Sequence, residues 1–574
     1  MEQVGYLERP QDASQTTLQD TLSVWWSHHG QRVWWLSVLG MMCGTCLEQV
    51  RLVTRASRFT NGDHAVLWLA ARHWSELDIR EPTFFGQGYG VTFESIPVAL
   101  LHALGVPYSI GLQASLVSMA VLAYWWLGWC ARRRGLQLAS LAAFAWPLLV
   151  SYQHFCVVDV IGTGVGRLFA AGCAGLVLRE RMTRGHVALA VASGGFASVI
   201  DGASMLLAGP ALVWAGLRWL RSPRLWWAAG AGLLLPLGWL GLNAWFNRAH
   251  PDHLWHQGWS YEPVATHLLE NLRDPDRLLG AQGPELYPHG ALILATFLAA
   301  LLLALAFEAW REAAAVGCVI AQLLLLFSLE KSFDARNSLW FPAARMTLCT
   351  PMTAWFVLTI TLRATLEPLQ QRVLRAERLR LRALTAAASI SLLLLSAASC
   401  GVRALEWSPR MRDFIRSGYY DPFIPIKRVT ELKALCRDVK RTADAGHTDI
   451  VVFPDGLLPN YACAALHPGL NTIYPYYERR WWVLDELASV PRERMLLWGV
   501  DPALCSNRSL KKRLKQCTPV GEEAVLVAFN PQPPLAVLRT LDISTRPFGR
   551  DCDPAHYENC ATWKQRFRAP NSVW

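Results

Sequence analysis

Two carboxylates, Asp63 and Glu94, lie in one polar stretch between long apolar segments of the chain. Asp63 begins an apolar run with helical spacing, and Glu94 follows the glycine-rich sequence FFGQGYGVTF (84–93). A carboxylate can act as a general base or acid toward a group within hydrogen-bond reach. Both residues are therefore candidates for acid–base chemistry. Each also has a structural alternative, because Asp and Glu at such positions can cap the helix that follows.

The composition predicts a helical membrane protein. Hydrophobic residues make up 52% of the 574 residues and charged residues only 17%, as expected where each span needs roughly 20 consecutive apolar residues. The 27 tryptophans suit the headgroup level of a bilayer, since an indole is part apolar and part polar. The net charge of +11 is attributed to cytoplasmic loops, because no stacking platform or basic repeat indicates nucleic-acid binding.

About eleven apolar segments are long enough to be spans. They cover residues 33–53, 107–130, 136–152, 156–178, 186–202, 203–220, 226–246, 289–308, 313–330, 345–363 and 383–402. The fifth and sixth meet at Asp201 and Gly202, which are predicted to form a short outer turn because a charge in mid-membrane is costly. The small residues of GTGVGR (162–167) are expected to allow close helix contacts.

Short basic loops predict the orientation of the chain in the membrane. Arginines follow the second, fourth, sixth and tenth spans, at Arg132, Arg133, Arg134, Arg179, Arg181, Arg184, Arg218, Arg221, Arg224 and from Arg363 onward. All four loops are cytoplasmic if the N-terminal segment 1–32 is cytoplasmic. The transmembrane domain 33–402 then has outer loops at 54–106 and 247–288, and the tail 403–574 lies on the outer side.

The tail has the pattern of a separate small α/β domain. The segments 449–454, 494–500 and 523–530 are predicted to be buried strands, and 428–444 has apolar residues at helical spacing. Six cysteines in an exported domain permit disulfides. The local pairs are Cys505 with Cys517 and Cys552 with Cys560.

The first outer loop resembles that of bacterial GT-C-type glycosyltransferases, the relatives of protein mannosyltransferases and aminoarabinose transferases. The shared pattern has an acidic residue soon after the first span, a Gly-Gln-x-Tyr-like turn, a Glu, and a Pro-containing apolar run. Here it is formed by Asp63, Gly86, Gln87, Tyr89, Gly90 and Glu94. The sequence FPAARMTLCTPMTAWFVL (341–358) is similar to the family's Arg-Tyr-x-x-Pro-x-x-Pro helix start, although Met346 replaces the usual Tyr.

The resemblance implies a polyprenyl-phosphate-linked sugar donor, a site on the outer face, and inverting transfer to a hydroxyl of a glycan, lipid or protein. Asp63 is then the expected base, and Glu94 a supporting acid. His64, Gln87 and Tyr89 are expected at the substrate. A lipid phosphate leaving group needs cationic donors, for which the candidates are Lys331, Arg336 and Arg345, with His154 and Arg167 as weaker ones.

Three points stay open at this level. Asp63 with His64 could hold a divalent cation, Mg²⁺ or Mn²⁺, although transfer from a lipid-linked donor does not require one. A transporter or flippase for a lipid-linked substrate is the first alternative function, and it would have intramembrane charges and internal repeats. A non-catalytic member of the family is the second alternative.

Overall fold

The structure is a computed structural model. It describes residues 13–81, 83, 85, 91–150, 163–179, 181–219, 222–250, 261–279, 290–331, 347–372, 385, 387–403, 427–454, 457–474, 480–507 and 512–541.

Helices dominate the described residues up to 403. The first, α1, runs from Ala13 to Ala56, so the polar stretch before the first predicted span is partly helical. The predicted outer loop contains α2 (Gly62–Glu76) and α3 (Ser95–Ala103). The helices that follow are α4 (Tyr108–Arg133), α5 (Gln137–Leu149), α6 (Thr163–Val177), α7 (Arg184–Ile200), α8 (Met205–Trp219) and α9 (Pro223–Ala249).

The second half of this part adds six helices and a small two-stranded sheet. The helices are α10 (Ala265–Arg273), α11 (Asp276–Leu279), α12 (Gly290–Ala306), α13 (Trp310–Ser328), α14 (Thr350–Arg372) and α15 (Ala387–Arg403). Two short strands, β2 (Tyr261–Pro263) and β3 (Leu329–Lys331), pair antiparallel. They join the second outer loop to the end of α13.

Every predicted span overlaps one of these helices. Among the described residues, four are long and apolar enough to cross a membrane by length and composition: Gln31–Ala56 of α1, α4, α9 and α13. Shorter apolar helices are α5, α6, α7, α12 and α15. The chain is thus mainly helical with several apolar helices, and the count of eleven spans stays a prediction.

A shared hydrophobic core joins α2 and α4 to the later helices. Its largest fully buried side chains include Trp68, Tyr124, Phe297, Phe327 and Phe356, which come from α2, α4, α12, α13 and α14. Because α2 contributes so much buried apolar surface, this part of the predicted first outer loop packs into the helical bundle.

The tail contains a five-stranded mixed sheet. Its strands are β5 (Ile450–Val452), β6 (Thr472–Ile473), β7 (Arg492–Trp498), β8 (Gln516–Val520) and β9 (Ala524–Gln532). They lie in the order β6-β5-β7-β9-β8. Strand β5 pairs parallel with β6 and β7, and β9 pairs antiparallel with β7 and β8. Its helices are α16 (Val429–Ala445), α17 (Leu457–Leu466), α18 (Trp481–Ser489) and α19 (Pro534–Thr540).

Among the described residues of the tail, two disulfides form. Cys505 bonds to Cys517 as predicted, and Cys436 bonds to Cys463, which the sequence did not single out as a pair. The second bond joins α16 to α17. The predicted pair Cys552 and Cys560 lies outside the described residues.

The tail is also attached to the first outer loop. Strand β1 (Phe59–Thr60), just before α2, pairs antiparallel with β4 (Lys427–Arg428), just before α16. The backbone N–H of Val429 donates to the carbonyl of Arg58 over 2.9 Å. Helices α2 and α16 therefore start from neighbouring points.

Candidate functional site

Asp63 lies in the first turn of α2, and Asn61 is the residue that caps this helix. The Asn61 side chain accepts a hydrogen bond from the backbone N–H of His64 over 2.9 Å. The alternative that Asp63 is the N-cap is therefore wrong. A carboxylate in the first turn is stabilised by the unpaired N–H groups of the helix start. Asp63 is only 6% exposed and His64 only 1%.

Glu94 occupies the N-cap position of α3 but makes no capping hydrogen bond with its side chain. Its Oε1 instead accepts from the backbone N–H of Val165 in α6 over 3.4 Å. Capping is therefore not the role of this carboxyl group. The next residue, Ser95, donates from its hydroxyl to the carbonyl of Leu67 over 2.9 Å. That bond ties α3 to α2 about one helical turn after Asp63.

Glu94 belongs to a buried group with Arg167 of α6 and Asp201 at the end of α7; we call these three residues the buried acid–arginine group. All three interact electrostatically. Glu94 is fully buried and Arg167 is 2% exposed. A buried guanidinium beside carboxylates reduces the cost of holding either charge away from water. Residues from the first outer loop and from two apolar helices thus meet at one point.

Glycines let the helices approach closely enough for this meeting. A Cβ at Gly166 would lie 2.5 Å from the Ser204 hydroxyl oxygen and 2.7 Å from the Asp201 Cβ. A Cβ at Gly164 would lie 3.0 Å from the Met119 sulfur. The close contacts predicted for GTGVGR are therefore confirmed at these two glycines.

Asp201 ends α7 and caps the short 3₁₀ turn 202–204, as the predicted outer turn requires. Its Oδ1 accepts from the backbone N–H of Ala203 over 3.2 Å, and its Oδ2 accepts from the Ser204 hydroxyl over 3.0 Å. These bonds hold the carboxylate in a fixed orientation toward α6. The sequence pattern predicts only a structural role for Asp201 and does not indicate its place beside Arg167.

Burial raises the pKa of Glu94 from 4.5 to about 7, because the charged form loses its hydration. Backbone hydrogen bonds and Arg167 oppose the shift, and Asp201 adds to it. The other oxygen, Oε2, is buried and has no hydrogen-bond partner among the described residues. A carboxyl group with a pKa near neutrality can gain or lose a proton under working conditions.

The remaining predicted site residues are only partly placed. Gln87, Tyr89, Arg336, Arg345 and the weaker candidate His154 lie outside the described residues. Lys331 ends β3, where its backbone pairs with Tyr261. The structure brings Glu94 and the weaker candidate Arg167 together, and it places Asp63 on the helix to which α3 is bonded.

A second feature lies where the far end of α2 meets the tail. A cavity of about 240 Å³ is lined there by charged and aromatic side chains, among them Arg72, His73, Arg80, Arg480 and Trp482. We call it the α2–tail cavity. Arg72 also donates to the carbonyl of Ala464 in α17 over 2.8 Å. The helix that carries Asp63 at its start thus contacts the tail at its end.

The ring of Trp482 is surrounded by side chains of the first outer loop. The His73 and Phe85 rings meet it edge to face at 5.6 and 5.5 Å, and the Arg80 guanidinium lies 5.3 Å from its centre. Burial lowers the pKa of His73, with Arg480, Arg72 and Arg80 acting in the same direction and Asp78 opposing. These effects favour the neutral imidazole. Aromatic and arginine side chains of this kind suit contact with carbohydrate or a headgroup.

The structure offers little for a metal ion. Within the described ranges, no three His, Cys, Asp or Glu side chains group closely enough to bind one. Asp63 and His64 supply two ligands from adjacent positions of one helix, fewer than divalent cations use in most protein sites. No chemical step is therefore assigned to a metal.

The chain was compared with protein families, curated proteins and solved structures, and a solved structure is similar to it. No family model and no curated protein matches the chain. The structure is similar to that of ArnT from Cupriavidus metallidurans bound to undecaprenyl phosphate, at 14% identity and a TM-score of 0.44. The match covers 89% of this chain and 99% of that chain.

Proposed function

We propose that the chain is a GT-C-like glycosyltransferase of the bacterial inner membrane. It would move a sugar from a polyprenyl-phosphate carrier to a hydroxyl of a glycan, lipid or protein, with inversion, on the periplasmic face. The first-loop motif and the apolar helices support the class. The single structural observation that carries the proposal is the fully buried Glu94 carboxyl, which interacts electrostatically with Arg167 and Asp201 and lies next to the helix that bears Asp63.

In the proposed reaction, Asp63 accepts the proton of the acceptor hydroxyl as its oxygen bonds to the anomeric carbon. The bond from that carbon to the phosphate oxygen breaks with its electron pair, so the carrier leaves as polyprenyl phosphate with one more negative charge. The proton on Asp63 is released afterwards to water. Burial of Asp63 in the first turn of α2 fixes its position, which favours reaction through proximity.

Glu94 acts beside this step as a positioned acid. With a pKa of about 7, much of it is protonated at neutral pH, and its Oε2 can then donate a hydrogen bond to a substrate oxygen. The Val165 N–H holds one oxygen of the carboxyl, Arg167 offsets its negative charge, and Asp201 favours its protonated form. Arg336, Arg345 and Lys331 remain the proposed cations for the phosphate, and Gln87, Tyr89 and His64 the proposed contacts to the sugar.

The tail is proposed to be a periplasmic α/β domain that takes part in acceptor binding. Its support is the α2–tail cavity, which joins Trp482 and Arg480 to the helix that carries the proposed base. An acceptor held there would contact both the tail and the first outer loop. The tail would then select the acceptor while residues 33–402 bind the donor.

A transporter or flippase for a lipid-linked substrate is the second candidate. The observation that favours it is Arg167, a buried charge within a segment predicted to span the membrane, because such charges often mark a substrate path. However, Arg167 interacts electrostatically with Asp201, which lies at the predicted outer turn after α7. This position suits a site on the outer face better than a path through the bilayer.

The two candidates can be separated with purified protein in liposomes. Polyprenyl-phosphate donors carrying a labelled sugar would be supplied with a mixture of cell-envelope acceptors, and both covalent transfer and movement of donor between leaflets would be followed. The transferase proposal predicts labelled acceptor and release of polyprenyl phosphate in equal amounts. Donor that crosses the bilayer while its sugar stays attached would contradict it and favour the transporter.

A further inference from the structure

A cavity of about 140 Å³ opens at the opposite, predicted cytoplasmic end of the helices, between the last turns of α4 and α6. Its lining combines Arg133, Arg134 and Arg179 with the indoles of Trp126 and Trp129. Neither the proposed reaction nor the predicted outer-face site uses these residues. No Asp or Glu lines the cavity among the described residues; Glu180, which follows Arg179 in the sequence, lies outside them.

The arginines of the Arg132–Arg134 run have different surroundings. Arg132 stacks on the ring of Trp34 in α1, with its guanidinium carbon 4.6 Å from the ring centre. Arg133 lies 5.2 Å from the ring centre of Trp129, and the Nε and Nη1 atoms of Arg134 are buried at the cavity. The orientation of the protein in the membrane requires only that the loop after α4 be basic. It does not require Arg133 and Arg134 to line the same cavity as Arg179, which follows α6.

The two tryptophans give the cavity an apolar side. Trp126 and Trp129 are 39% and 40% exposed on a helix long and apolar enough to cross a membrane. A Cβ at Gly175 would lie 2.4 Å from the Trp126 indole nitrogen, so the indole packs directly against the backbone of α6. Arginines beside exposed indoles at a helix end are the combination expected for a phosphate headgroup with its acyl chains.

We infer that this cavity binds the phosphate of an anionic phospholipid from the cytoplasmic leaflet. The arginines contact the phosphate oxygens, and the acyl chains lie along Trp126 and Trp129. Free phosphate would contact only the arginines. A phospholipid would contact the arginines with its phosphate and would also cover the exposed indoles with its acyl chains. Basic residues between spanning helices are suited to such headgroups because arginine offers several donors to one phosphate.

The test is native mass spectrometry of the full-length protein in detergent, titrated with phosphatidylglycerol, phosphatidylcholine or inorganic phosphate. The wild type should retain one phosphatidylglycerol more tightly than phosphatidylcholine. Arg133→Gln and Arg179→Gln should each weaken this binding about fivefold, as expected for one arginine at a charged lipid surface. The matched control is Arg184→Gln, which removes the same charge from an exposed position that does not line the cavity.

Arg133 is exposed, so its variant should fold, and retention of detergent-solubilised monodisperse protein verifies this. Equal binding of phosphatidylglycerol by wild type and both cavity variants would overturn the inference. So would equal retention of the two lipids, or a loss with Arg184→Gln as large as with Arg133→Gln. Displacement of the lipid by millimolar inorganic phosphate would show that the site is an anion site without a lipid component, which also contradicts the inference.

Discussion

At the scale of single residues, the Glu94 carboxyl group is held where ionisation is costly. Burial removes its hydration, and backbone hydrogen bonds, including that from the Val165 N–H, offset this cost only in part. The folded protein therefore keeps a proton on Glu94 at pH values where an unfolded chain has released it. This difference links stability to pH.

Glu94→Gln should remove a pH dependence of stability. Because the folded pKa of about 7 lies above 4.5, the folded state binds more protons than the unfolded state between these values. Stability should thus be full below about pH 4.5 and fall as the pH rises toward 7, by about 3 kcal/mol at most. The measurement is the apparent Tm in detergent across this range. The wild type should lose stability with rising pH more steeply than Glu94→Gln.

Glu431→Gln is the control for that comparison, because it removes an exposed carboxylate from α16. It should leave the slope of the wild type unchanged. Parallel slopes for the wild type and Glu94→Gln would mean that Glu94 is ionised in the folded state across this range, and that it cannot be the proposed acid.

At the scale of elements, the position of α6 depends on two residues without side chains. Gly164 and Gly166 let this helix pack against α4 and against the turn after α7. Arg167 follows directly, so the same packing sets where its guanidinium lies relative to Glu94 and Asp201. A change in α6 packing should therefore move Arg167 relative to Glu94 and Asp201.

Gly166→Ala should destabilise the protein by about 1–3 kcal/mol, the usual cost of overpacking. The new Cβ would clash with Ser204 and Asp201, so transfer activity should fall together with the apparent Tm. Gly172→Ala is the matched control on the same helix, because its Cβ would meet no heavy atom closer than 3.9 Å. Equal Tm values for the two variants would contradict the packing described here.

Many of the helices and strands could be predicted from the sequence. The apolar segments, α2 and the strands β5, β7 and β9 follow from length and periodicity, which are local properties of the chain. The meeting of Glu94 with Arg167 and Asp201 could not be predicted, because these residues lie far apart in the sequence and their contact depends on helix packing. The small residues at 164 and 166 were the only sign of it.

The Cys436–Cys463 disulfide is likewise a property of packing, since it closes 27 residues between two helices. Replacing both cysteines by serine should destabilise the tail by about 3.5 kcal/mol in the loop-entropy model, against about 2.8 kcal/mol for Cys505 and Cys517, which close 12 residues. Urea unfolding followed by tail fluorescence would measure this. A larger loss for the second pair would contradict the ordering.

At the scale of the whole molecule, the tail and the first outer loop form one connected structure. They share the β1–β4 pairing, the α2–tail cavity and the Arg72 bond to Ala464. The helix that carries the proposed base is therefore fixed from both sides, by the helical bundle and by the tail. A loss of tail contact should loosen this helix.

Arg72→Ala should speed hydrogen exchange at the amides of the second half of α2 and of α17 by about ten- to 100-fold, because a hydrogen bond from a charged group contributes about 1.5–3 kcal/mol. Peptide-resolved exchange with mass spectrometry is the measurement. Glu76→Gln serves as the control, because it removes the ion pair with Arg72 but keeps the bond to Ala464. Unchanged exchange in Arg72→Ala would show that the tail does not hold α2.

The central claim is that the chain transfers a sugar from a polyprenyl-phosphate carrier with Asp63 as the base. Its most direct test is transfer of labelled sugar by the purified protein in lipid, with wild type, Asp63→Asn and the exposed-loop control Asp274→Asn compared at equal folded concentration. The account predicts transfer by the wild type and the control, and a loss of at least about 100-fold in Asp63→Asn. Full transfer by Asp63→Asn would contradict this role of Asp63.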